Sequence, residues 1–71
     1  MIKKRVFELK YGDVFIYDGG TRVVSAVENG FIYFDNYTPG RIKYGKVRAI
    51  GCRSKELVEI ISNQKIETWQ K

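Results

Sequence analysis

Six cations fall within fifteen residues of this 71-residue chain: Arg41, Lys43, Lys46, Arg48, Arg53 and Lys55. No acid stands among them until Glu56 closes the run. Tyr44 lies inside the run and Tyr37 just before it. Cations interleaved with aromatic rings suit phosphate contact with occasional base stacking. The alternative is that these are edge-strand charges, which block edge-to-edge aggregation. Lys3, Lys4 and Arg5 either extend the patch or form a solvated terminus.

Other chemistries find little to work with. The chain has no histidine and a single cysteine, Cys52. A zinc site would need one thiol plus carboxylates, and a cysteine nucleophile would lack its base. Asp13, Asp18, Glu28 and Asp35 sit at turns and strand ends, where turn geometry explains them. Gly19-Gly20 lacks the spacing and the following helix of a phosphate-cradling loop. The residues therefore point to binding rather than catalysis, and imply no cofactor.

The elements that position these residues follow from turn chemistry. Ile2 to Leu9 reads as a strand ending in the turn Tyr11-Gly12-Asp13, and Val14 to Tyr17 as a second strand. Asp18-Gly19-Gly20 and Asn29-Gly30 tolerate the positive φ of tight hairpins, so Arg22–Glu28 and Phe31–Asn36 read as returning strands. Residues 37–40 hold the one proline and form a loop. Arg41 to Cys52 reads as strand, split or bulged at Gly45. Unless Gly45 resets the register, Arg41 and Lys43 lie on one side of it and Lys46 and Arg48 on the other. Ser54 reads as the cap of a short helix over 55–61, with Leu57, Ile60 and Ile61 as its apolar face. Lys65 to Trp69 reads as a last strand or a frayed end.

If Asn29-Gly30 forms a two-residue turn, Val27 pairs with Ile32 and Ser25 with Phe34. Alternation then groups Val14, Ile16, Val23, Val27, Ile32 and Phe34 as a core face. The opposite face takes Phe15, Tyr17, Arg22, Val24, Ala26, Phe31 and Tyr33. Flat rings flanked by Arg22 make a stacking platform for single-stranded nucleic acid. The alternative is that this face is buried beneath the helix or the last strand.

The fold class is thus mostly β, a single domain over 1–71. It is read as a small barrel or strongly curved antiparallel sheet of about five strands with one short C-terminal helix. Short strands with a late helical turn, and the stretch Leu9-Lys10-Tyr11-Gly12-Asp13-Val14-Phe15, resemble an SH3-like small barrel over residues 9–52. That resemblance implies a fold and no particular function, because such barrels bind protein, RNA and DNA alike.

A net charge of +5 favours polyanionic partners, although it is also ordinary for a soluble small domain. No apolar run reaches the roughly 18–20 residues that span a bilayer, and the basic start lacks the apolar stretch of a signal peptide. With one unpaired thiol, the cytoplasm is the expected compartment. The leading expectation is a nucleic-acid binder, RNA or single-stranded DNA. Its phosphates would be held by the six cations and Arg22, with Tyr17, Tyr33, Tyr37 and Tyr44 stacking. The alternative is a protein-interaction module, such as the small inhibitors or adaptors of host proteins that phages and mobile elements encode. A homo-oligomer joined through strand edges is a third reading.

Overall fold

The computed structural model describes residues 2–68. Strand β1 (Ile2–Arg5) runs into a single 3-10 turn (Val6–Glu8), followed by β2 (Asp13–Tyr17), β3 (Gly20–Glu28) and β4 (Phe31–Asn36). Then come β5 (Lys43–Tyr44), β6 (Arg48–Gly51), β7 (Leu57–Asn63) and β8 (Glu67–Thr68). Six strands form one antiparallel sheet in the order β1-β7-β2-β3-β4-β6, while β5 and β8 make a short parallel pair. The chain is mostly β. The large sheet is not closed into a barrel: β1 and β6 are its two edges.

Both hairpins form where their turn residues demand. Asp18 and Gly19 have φ of 51° and 75°, and Asn29 and Gly30 have 53° and 78°. Two consecutive positive-φ residues match the right-handed twist of the flanking strands. Tyr17 accordingly pairs with Gly20, and Glu28 with Phe31.

The expected helix over 55–61 is instead strand β7. It lies between β1 and β2, pairing with both. A helix of two turns leaves most of its backbone groups without internal partners, whereas an inner strand is bonded on both sides. Val58 is buried and Ile60 half-buried, while Leu57 and Ile61 are exposed. The Ser54 hydroxyl accepts from the Glu56 N–H at 3.3 Å and holds a loop, with no helix to cap. The first strand is also shorter than expected. It stops at Arg5, and the 3-10 turn carries Val6 and Leu9 into the core. The Arg41–Cys52 strand is broken, leaving β5 and β6 as separate elements joined through Gly45–Val47. The last strand is present at Glu67–Thr68, and Trp69 lies outside the described residues.

One inserted residue rearranges the two faces. Val27 pairs with Ile32 as expected, but Val24, not Ser25, pairs with Phe34. Ser25 is the extra residue of a β-bulge, and a one-residue slip sends every preceding side chain to the other face. Phe15 and Val24 therefore join Ile32, Phe34 and Val58 on the first face, sealed by Val6 and Leu9. Val14 and Val23 turn to the second face, where Tyr44 of β5 and Ile66 cover them. Ile16 and Val27, expected in the core, are exposed. The Ser25 hydroxyl donates to the Gly45 carbonyl at 2.9 Å and is itself buried, which ties the bulge to the β5–β6 connection. Ser25→Ala is expected to cost about 1–3 kcal/mol in urea unfolding, because a buried carbonyl loses its donor.

Candidate interaction surface

The six-cation strip is divided among separate places. Arg41 lies 3.7 Å from the buried Asp35 carboxylate, and its guanidinium sits 5.1 Å from the Tyr44 ring centre. Asp35 also accepts from the Gly45 N–H at 3.2 Å, so this group fastens the β5 loop to β4. Lys46 is bonded to Glu28 and lies 5.1 Å from the Tyr33 ring centre. Arg48 faces the other way, 3.7 Å from Asp18 and 5.5 Å from the Phe34 ring centre. Lys46 and Arg48 thus lie on opposite faces of the sheet, because each sits over a ring that points to a different face. Lys43, Arg53 and Lys55 are exposed. Among the described residues none of these three has a carboxylate partner.

The expected stacking rings are redistributed as well. Tyr44 is 0% exposed, with its hydroxyl donating to the Thr38 carbonyl at 2.9 Å and accepting from the Thr38 N–H at 3.2 Å. A ring so enclosed cannot stack on a base; it is a core residue. Tyr37 is half-buried against it, with ring centres 6.4 Å apart. Tyr17 is half-buried on Phe34 at 5.5 Å, and Phe15 is fully enclosed. Arg22 is half-buried, donating to the Tyr17 carbonyl at 3.1 Å and to the Asn36 side chain. The bulge at Ser25 is the cause: it parts Phe15 and Tyr17 from Phe31 and Tyr33, so the four-ring platform does not exist.

Phe31 and Tyr33 remain outward, with ring centres 6.3 Å apart and Phe31 46% exposed. They lie on β4, beside β6, where they pair with Gly51 and Ala49. Small side chains at both positions leave the rings open toward the sheet edge. Sequence reasoning put these rings on the face opposite Ile32 and Phe34, where they lie, but left open whether that face is buried. It also grouped them with Phe15 and Tyr17, and missed Ala49 and Gly51 beside them. The one available signal was the uncharged run Ala49-Ile50-Gly51-Cys52 between Arg48 and Arg53.

Comparison with protein-family models, with curated proteins and with solved structures returned no match. Among the described residues, no three Cys, Asp or Glu side chains gather as a metal would require. No helix there is long and apolar enough to cross a membrane.

Proposed function

We propose that this chain is a non-catalytic binding module whose partner is another protein, contacted through the Phe31–Tyr33 rings and the neighbouring sheet edge. The observation that carries it is the fate of the two expected rows. Phe15, Tyr17 and Tyr44 turn inward, and Arg41, Lys46 and Arg48 are engaged by carboxylates. What stays outward on the sheet is the pair of rings Phe31 and Tyr33. The exposed Lys43 lies on β5, and Arg53 and Lys55 lie in the loop between β6 and β7, rather than in one row. That is the composition of a protein hot spot rather than of a phosphate track. The half-buried, unpaired Cys52 fits a reducing cytoplasm.

The test is retention after nuclease digestion. The chain is expected to keep one defined protein. Phe31→Ala with Tyr33→Ala is expected to weaken that binding about tenfold or more, or about 1.4 kcal/mol, with folding retained.

A second reading, single-stranded nucleic acid, is favoured by the exposed Lys43, Arg53 and Lys55 and the net charge of +5. It expects binding at low salt whose log K falls with log [salt]. Removing each phosphate-contacting cation would reduce the slope by about 0.7–0.9. Nucleic-acid binding of that kind, with no protein retained after nuclease, would overturn the protein reading.

A further inference from the structure

The two edges of the sheet are guarded differently. Along β1 the Val6 N–H donates to the Glu56 carbonyl, so by antiparallel alternation Lys3 and Arg5 turn their main-chain groups outward. That edge carries Lys3, Lys4 and Arg5, the charged side chains that discourage strand addition. Along β6 the Cys52 N–H donates to the Gly30 carbonyl. The same alternation makes Ile50–Ile32 and Arg48–Phe34 the bonded pairs, and leaves Ala49 and Gly51 with main-chain groups facing away from β4. The Ser54 N–H takes up the Gly51 carbonyl. Among the described residues, no hydrogen bond is made to the outward N–H and C=O of Ala49 or to the outward N–H of Gly51. No charged side chain interrupts Ala49-Ile50-Gly51.

Resting on the protein-binding reading above, we propose that the β6 edge takes up an extended acidic segment of its partner as a seventh strand. Main-chain bonds to Ala49 and Gly51 hold the segment. Its side chains alternate between the two faces. Those on the second face lie over the small Ala49 and Gly51 and reach Phe31 and Tyr33, which calls for apolar residues. Those on the first face meet Arg48 and Ile50. Charge decides the sign of the partner. Lys46, Arg48 and Arg53 flank the edge, and no acid occurs between Asp35 and Glu56. The Arg48–Asp18 pair is solvent-exposed on both sides, so exchanging Asp18 for a partner carboxylate costs little. A second copy of this chain fits less well, since each copy carries +5 and would bring its own Arg48 and Arg53 to the shared edge.

The decisive experiment uses the full chain and a capped seven-residue peptide of alternating valine and glutamate. Its counterpart carries lysine in place of glutamate. The acidic peptide is expected to bind and the lysine peptide at least tenfold more weakly. Amide exchange at Ala49 and Gly51 should slow on binding, while that at Lys3 and Arg5 should not change. Ala49→Pro removes the outward donor without removing a β4–β6 bond, and proline is tolerated where an edge N–H faces solvent. It should reduce peptide binding at least tenfold. N-methylation of the Ala49 amide, introduced by ligation, removes the same donor without the proline ring. It serves if Ala49→Pro fails to fold.

No binding of the acidic peptide at millimolar concentration would overturn the proposal. So would binding that leaves the Ala49 amide unprotected, or a concentration-dependent dimer that Ala49→Pro dissolves. Undiminished capture of the natural protein partner by Ala49→Pro would sink this edge while leaving the protein-binding reading intact. Binding of single-stranded RNA with no peptide binding would sink both.

Discussion

Phe34→Ala is expected to leave about half of the protein or less folded at 25 °C. The side chain is 1% exposed and stands at the centre of the first-face core. Its ring makes edge contacts with Phe15 at 5.7 Å and with Tyr17 at 5.5 Å. Truncating a buried phenylalanine costs about 3–5 kcal/mol, through lost transfer energy and the cavity left behind. A chain this short and without a disulfide has about 3–5 kcal/mol of core stability to lose. The two quantities are equal in size, so the net stability should fall to near zero and the folded fraction to about one half or less. Urea unfolding followed by circular dichroism reads the change directly. Phe31→Ala, on the same strand but outward, should cost no more than about 1 kcal/mol. A similar loss from both variants would mean that Phe31 does not face outward while Phe34 faces the core, as alternation along β4 places them.

Gly12→Ala is expected to produce the next largest loss, about 2–4 kcal/mol, from two independent causes. Gly12 has φ of +86°, a conformation costing an L side chain about 1–2 kcal/mol. A Cβ there would also fall well inside contact of the Gln64 carbonyl oxygen, which is main chain and cannot swing away. Relief requires moving the end of β7 off β2. That would break the Gln64 N–H bond to the Gly12 carbonyl (2.8 Å) and the Asn63 bond to Asp13 (2.7 Å). Gly30→Ala isolates the first cause, since Gly30 has φ of +78° with open space around it. Thermal unfolding should show Gly12→Ala losing clearly more than Gly30→Ala. Equal losses would show that the close approach of Gln64 is relieved without cost.

These substitutions test contacts of different sequence range, and the same distinction explains what could be read in advance. Asn29-Gly30 and Asp18-Gly19 determined their hairpins by themselves, because positive φ at two adjacent residues is a local property. The mostly-β class followed, as did the pairing of Val27 with Ile32 next to the turn. The Arg41–Lys55 cations and the absence of histidine were likewise matters of composition.

Tertiary structure decided everything that depended on a distant partner. Ser25 became a bulge by bonding to Gly45, twenty residues away, and that single insertion exchanged the faces of Val14, Phe15, Val23 and Val24. Leu57–Asn63 became a strand because β1 and β2 offered ladders on both sides, although the spacing of Leu57, Ile60 and Ile61 suits a helix equally. Carboxylates at Asp18, Glu28 and Asp35 claimed Arg48, Lys46 and Arg41, which divided a strip that looked continuous. The openness of β6 is of the same kind. A strand becomes an edge through what fails to pair with it, and no local pattern records that.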